Sequence, residues 1–230
     1  MKTSTIAACS NPILAGVFAV ASTISGAAIA ADNKISPLIT EVEVTHNGET
    51  VVISRGHDRD AILPEVFQKT DRGCPPFCVQ PMVAVPGVDT IGELEVLDYL
   101  NRISQGDRNV MVVDSRTPDW VVRGTIPGSV NVPWNKINTD VAGTFETPAE
   151  AEGLVHILAD EFGANYDQAK GSWDFSDAKT LVLFCNGIWC PQSSTNLKTL
   201  VGLGYPVYKL KWYRGGMQDW VSVGLTTVKP

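Results

Sequence analysis

The stretch Thr180-Leu181-Val182-Leu183-Phe184-Cys185-Asn186-Gly187-Ile188-Trp189-Cys190-Pro191 decides the fold. Leu181 to Phe184 is an unbroken apolar run, as in a strand buried on both faces. A loop with a thiol at each end follows. Pro191, suited to the first turn of a helix, then opens a helical pattern that runs to Leu203, with Gly202 and Gly204 near its end.

The same alternation extends in both directions. Val110-Met111-Val112-Val113 is a second continuous apolar run. Ser129 to Val132 reads as a short strand after the Pro127-Gly128 turn, and Val207-Tyr208-Lys209-Leu210 as another. Between them lie helical patterns. Asp89-Thr90 is expected to cap a helix with Ile91, Leu94, Leu97, Leu100 and Ile103 on its apolar positions. Pro148 to Phe162 carries Leu154, Ile157, Leu158 and Phe162 on one face, and Met217 to Val223 is a final helix. Strands separated by helices imply βαβ units, hence an α/β fold with a mostly parallel sheet covered on both faces.

Upstream the pattern differs. Residues 38–56 read as a β-hairpin turning at Asn47-Gly48, which is expected to pack on the main domain. Residues 57–88 are broken by Pro64, Pro75, Pro76, Pro81 and Pro86, and contain Cys74-Pro75-Pro76-Phe77-Cys78. The organisation expected is a signal peptide at 1–30, an extension at 31–88 carrying the hairpin and the Cys74–Cys78 segment, and a domain at 89–230.

The signal is read from Lys2, the apolar run Ile13 to Ile24, and the cleavage site Ala28-Ile29-Ala30. Cleavage after Ala30 predicts a periplasmic or secreted protein with no membrane attachment. It removes Lys2 and takes the formal net charge from −7 to −8. An acidic surface gives no support to nucleic-acid binding or to docking on anionic membranes. Apolar residues make up 44% and charged residues 19%, an ordinary globular composition.

Chemistry concentrates at Cys185. Ligands of open α/β sheets bind beyond the carboxyl ends of strands. A thiol there faces a helix N-terminus, whose dipole and free N–H groups raise its thiolate fraction. With the loop amides, those N–H groups cradle an anion, and Gly187 lets the loop curl. Such a thiolate suits attack on a sulfane sulfur or another small anionic electrophile.

Three blocks in order then resemble the rhodanese domain family. Val112-Val113-Asp114-Ser115-Arg116 with Arg123-Gly124-Thr125-Ile126-Pro127-Gly128-Ser129-Val130-Asn131-Val132-Pro133 resembles its D-x-R … G-H-I-P-G-A-x-N-I-P signature. Leu183-Phe184-Cys185 and its loop resemble the active-site loop. Gly204-Tyr205-Pro206-Val207-Tyr208-Lys209-Leu210, then Gly215-Gly216-Met217-Gln218-Asp219-Trp220, resembles the C-terminal pattern. The resemblance covers roughly residues 89 to 226. It implies a parallel five-stranded sheet with helices on both faces. It also implies sulfurtransferase activity through a Cys185 persulfide, with a thiosulfate, polysulfide or persulfide donor and a thiol or cyanide acceptor. Asn186, Gly187, Ile188 and Trp189 would form the substrate loop, and Asp114 would hold loops by hydrogen bonds.

Three departures qualify that picture. Thr125 stands where the family often has His. The loop holds no Arg or Lys, so thiosulfate is expected to be a poor substrate; Arg116, Arg123 and Arg214 are the candidate anion-binding cations. Cys190 ends the loop with a second thiol. It could resolve the Cys185 persulfide by releasing sulfide, cycle with Cys185 as a dithiol/disulfide, or merely pack. Cys74 and Cys78 read as a structural disulfide, as a partner redox pair near the Cys185 loop, or as free or metal-bound thiols. His46, His57 and His156 show no metal spacing, and no motif calls for a cofactor or a metal. The alternatives to an enzyme are a periplasmic thiol–disulfide redox protein and a non-catalytic sulfur-carrier or interaction module. The partners expected are a small sulfur-containing anion or persulfide and a periplasmic redox or sulfur-carrier protein.

Overall fold

The computed structural model describes residues 34–138, 148–167 and 169–230, with only the backbone of 148–151; the signal expected at 1–30, with Cys9, lies outside them. The hairpin is present as β1 (Val42–His46) and β2 (Glu49–Ile53). Asn47 and Gly48 turn between them with φ of 51° and 83°, the positive pair that a type I′ turn needs. One helical turn, α1 (Glu65–Gln68), interrupts the proline-rich stretch. Then come β3 (Asp89–Ile91), α2 (Glu93–Ser104), β4 (Val110–Asp114), α3 (Pro118–Val121), β5 (Val130–Asn131) and α4 (Trp134–Ile137). Helix α5 (Pro148–His156) continues into a π-helical turn at Ile157–Glu161. A small antiparallel pair, β6 (Asn165–Asp167) and β7 (Ser172–Asp174), precedes β8 (Thr180–Phe184), α6 (Gln192–Gly202), β9 (Leu210–Tyr213) and α7 (Gly216–Ser222).

The five-stranded sheet runs β3-β9-β8-β4-β5 with every pairing parallel, so β8 is central. Its side chains alternate between two cores. Leu181 and Leu183, with Val113, Leu210 and Trp212, face Ile137 of α4, Leu158 and the α6 residues Leu197 and Leu200. Val182 and Phe184, with Val112 and Tyr213, face α2 (Val96, Leu97, Leu100), the hairpin (Val42, Val44, Ile53) and α7 (Met217, Trp220). Burial on both faces is why β8 and β4 read as unbroken apolar runs. The hairpin therefore packs on the α2 side of the domain, and Asn33–Pro230 forms one compact unit. No helix of the described residues is long and apolar enough to cross a membrane.

Two expected elements are shifted. Asp89 and Thr90 do not cap a helix. They lie in edge strand β3, paired with Lys211 and Trp212, and Lys211 Nζ is 2.5 Å from Asp89 Oδ2. Gly92 takes the capping position of α2, its N–H donating to Glu95 Oε2 at 2.9 Å. The strand expected at Val207–Leu210 starts at Leu210, because Val207–Lys209 form a 3-10 turn. Lys209 Nζ holds that turn by donating to the carbonyls of Ser176 (2.6 Å) and Ala178 (2.7 Å).

The chain beyond β4 is fixed by a buried ion pair. Arg116 Nη2 lies 2.6 Å from Asp114 Oδ2, with both side chains at 1% exposure or less. Arg116 Nη2 also donates to Gly124 O (2.8 Å), and Thr125 Oγ1 donates to Asp114 Oδ2 (2.6 Å). Thr125 thus serves Asp114. The Ser115 amide donates to Phe184 O (3.0 Å), joining this corner to the residue before Cys185. Removing one member of a buried pair leaves the other charged and uncompensated, so Asp114→Ala is expected to cost about 3–5 kcal/mol. A urea unfolding midpoint shifted by less than an exposed-pair substitution such as Asp107→Ala would contradict this.

Candidate functional site

Cys185 follows β8 directly, and its carbonyl is captured by the first turn of α7. Met217 N donates to Cys185 O at 3.0 Å, and Gln218 N donates to Asn186 O at 2.9 Å. The approach is close enough that a Cβ on Gly216, at φ +58°, would collide with the Cys185 carbonyl and lie 2.9 Å from Gly187 N. The loop then closes on itself through Cys190 N, which donates to Gly187 O at 2.9 Å. This brings the two thiols together: Cys185 and Cys190 are joined as a disulfide with their Cα atoms 6.2 Å apart. Both are buried, at 2% and 3% exposure.

The remaining loop residues divide their work. Asn186 is buried, with Nδ2 4.0 Å from Cys190 Sγ. Gly187 faces Gln218; a Cβ there would fall 2.9 Å from Gln218 Oε1. Ile188 offers its carbonyl to the Gln80 amide (2.8 Å). Trp189 packs with the two cysteines, beside Trp120, and its Nε1 donates to Gln218 Oε1 at 2.7 Å.

The segment Arg72–Pro81 covers this loop from outside. The Phe77 ring meets Trp189 edge-on, with centroids 5.6 Å apart. The Arg72 guanidinium lies over Trp189 at 3.7 Å from the ring centroid, a cation–π distance. Arg72 Nη2 donates to Val66 O (3.0 Å), and burial pushes its pKa down from the ordinary value without discharging it. Gln80 is clamped: Ser194 Oγ donates to its Oε1 (3.0 Å) and Arg214 Nη2 to its carbonyl (2.7 Å). Within this segment Cys74 and Cys78 form a second disulfide.

The cations expected from the sequence are engaged with other groups. Arg116 pairs with Asp114 through Nε and Nη2. Arg214 holds the carbonyls of Gln80 and Pro81. Arg123 stacks 5.0 Å from the Trp120 ring, at the edge of the aromatic cluster. Buried polar atoms with no protein partner among the described residues include Asn186 Oδ1, Ser115 Oγ, Arg72 Nε and Arg116 Nη1. No group of three or more His, Cys, Asp or Glu among those residues could hold a metal ion.

Sequence reasoning missed three residues. Gln192 puts its Oε1 3.5 Å from Cys185 Sγ and 3.6 Å from Cys190 Sγ. Half a turn of that amide presents two N–H donors to a thiolate. Its place two residues after Cys190 was a usable signal. Gln218 bridges Trp189 to the Phe67 carbonyl (3.1 Å), and it falls inside the Gly215–Trp220 block. Arg72 carried no signal, because an isolated arginine in an irregular segment has no periodicity to betray its target.

Residues 96–223, more than half of the chain's 230, match the family described as Rhodanese-like domain. The chain belongs to the rhodanese-like domain family. No curated protein sequence matches it. Among solved structures it is similar to the BH2092 protein of Bacillus halodurans, at 18% identity over 61% of this chain and 77% of that one, TM-score 0.40. It is also similar to the human single-domain sulfurtransferase TSTD1, at 19% identity over 59% of this chain and 96% of that one, TM-score 0.37. A third is RPA3614 of Rhodopseudomonas palustris, described as of unknown function and a possible tyrosine phosphatase, at 20% identity over 64% of this chain and 86% of that one, TM-score 0.36. Similarity this distant says nothing about activity. Membership of the rhodanese-like family supports a role in sulfur transfer in general terms.

The rhodanese-like loop should depend on Gly216. Gly216→Ala adds a clash and left-handed backbone strain on the order of 1–3 kcal/mol. Gly202→Ala, with open space around the new Cβ, is expected to stabilise by about 0.5–1 kcal/mol. Urea midpoints of the two variants moving in the same direction would contradict this account of the loop.

Proposed function

We propose that the protein is a sulfurtransferase in which the Cys185 thiolate takes the outer sulfur of a thiosulfate, polysulfide or persulfide donor. With thiosulfate, sulfite leaves and Cys185 holds a persulfide. A thiol or cyanide then removes the outer sulfur and restores the thiolate. One observation carries this reading: Cys185 sits at the carboxyl end of the central strand β8, its carbonyl held by α7, facing the start of α6. The N-terminal end of α6 favours an anionic sulfur over a neutral thiol.

Arg72 is the cation of this site in our reading. It belongs to the segment that caps the loop, it stacks on Trp189, and its Nε is free of protein partners among the described residues. The loop itself has no cation, so a donor anion would be held by loop amides and this guanidinium.

Cys190 gives the persulfide a second fate. Its thiolate attacks Cys185 Sγ, the outer sulfur leaves as hydrosulfide, and the Cys185–Cys190 disulfide remains. The proximity of the two sulfurs supports this step and also favours a second reading, a thiol–disulfide redox protein working with the same pair. Either reading includes the export expected from residues 1–30, since resting disulfides belong to an oxidising compartment.

The test is intact mass spectrometry of reduced protein after incubation with thiosulfate or polysulfide. Cys190→Ser, which cannot resolve the persulfide, is expected to gain one sulfur mapped to Cys185, and Cys185→Ser none. Arg72→Ala is expected to need about tenfold more thiosulfate, the loss of one charge-assisted hydrogen bond. No sulfur gain in Cys190→Ser with either donor, alongside reversible oxidation of Cys185 and Cys190 in wild type, would leave the redox reading in its place.

A further inference from the structure

The molecule holds two disulfides of opposite accessibility, linked through contacts of the residues beside them. Cys185–Cys190 is buried under Trp189, Phe77 and Arg72. Cys74 is exposed and Cys78 half-buried. A protein-sized reductant meets the second pair in solution and has no path to the first, because disulfide exchange needs in-line access to sulfur.

The residues flanking Cys78 are the ones that touch the loop. Phe77 rests on Trp189, the neighbour of Cys190. Gln80 donates from its backbone to Ile188 O (2.8 Å) and from its side chain to Cys78 O (2.8 Å). Gln80 is held in turn by Ser194 of α6 and by Arg214. Cys78 is therefore the member of its pair tethered beside the buried loop, and Cys74 the member turned to solvent.

We infer that Cys74 and Cys78 are an electron relay that reduces the Cys185–Cys190 disulfide with electrons from an external dithiol protein. The donor's thiolate attacks Cys74 Sγ, and the Cys74–Cys78 bond breaks with Cys78 leaving as thiolate. The donor's second thiol displaces Cys74 and closes the donor's own disulfide. Cys78 thiolate attacks Cys190 Sγ, and Cys185 leaves as thiolate. Cys74 thiolate attacks Cys78 Sγ, and Cys190 leaves. Overall the donor loses two electrons and two protons, Cys185 and Cys190 gain them, and the Cys74–Cys78 disulfide is restored. The relay starts from the disulfide present in the structure and does not rest on sulfur transfer.

Two measurements on the full-length chain decide it. Cys74→Ser lacks the resolving thiol, so peptide mapping after acid quench is expected to find Cys78 linked to Cys190 and Cys185 free. The reductant for the second is a reduced thioredoxin-type dithiol protein, with alkylation and mapping of Cys185 over time. Cys74→Ser/Cys78→Ser is expected to be reduced at that pair more slowly than wild type, by on the order of tenfold or more, while a small phosphine reduces both at similar rates. Absence of the Cys78–Cys190 link, or reduction of the double variant by the dithiol protein as fast as wild type, would overturn the relay. Sulfur gain at Cys185 in phosphine-reduced Cys74→Ser/Cys78→Ser/Cys190→Ser, after removal of the phosphine, is a separate readout: its failure removes the sulfurtransferase reading and leaves the relay standing.

Discussion

Two backbone hydrogen bonds organise the site: Met217 N to Cys185 O and Gln218 N to Asn186 O. They require α7 to start within contact of the loop backbone, and only a residue without a side chain fits at Gly216. Once made, they fix more than the loop. Gln218 is aimed so that one end of its amide accepts from Trp189 and the other donates to Phe67 O. Trp189 then forms the platform for Phe77 and Arg72. The proline-rich segment, far away in sequence, acquires its place over the cysteines through this chain of contacts.

On the other side of β8 a second constraint meets the first. The buried Asp114–Arg116 pair shapes the turn after β4, and the Ser115 amide ties that turn to Phe184 O. Cys185 is thus held between two neighbouring strand ends, each braced independently.

What was legible in the sequence follows from how local its signals are. β8, β4 and α6 were readable because burial on both faces writes an unbroken apolar run, and Pro191 and Gly204 punctuate the helix. The loop was readable as a strand-to-helix junction with a thiol at each end. β3 was not, since three residues pairing at a sheet edge leave no periodicity, and Asp89-Thr90 imitates a cap. β9 starts three residues later than its sequence pattern suggests, because Val207 and Tyr208 look like strand residues while Lys209 is drawn to distant carbonyls. The cation and the aromatic cap were invisible for a deeper reason. Arg72, Phe77 and Gln80 act on residues more than a hundred positions away, and nothing in their own neighbourhood records that.

In the sulfur transfer proposed for this site, Cys185 and not Cys190 is the nucleophile. Burial raises a thiol pKa, whereas nearby N–H donors and cations lower it. At Cys185 the second effect should dominate, given the N-terminus of α6, whose first residue Gln192 lies beside the sulfur. The direct measurement is the pH dependence of alkylation of each thiol in the reduced protein, resolved by peptide mapping. The account predicts that Cys185 is modified first, with a midpoint below the value of about 8.5 for a free cysteine. A Cys185 midpoint at or above that value, or a lower midpoint at Cys190, would contradict it.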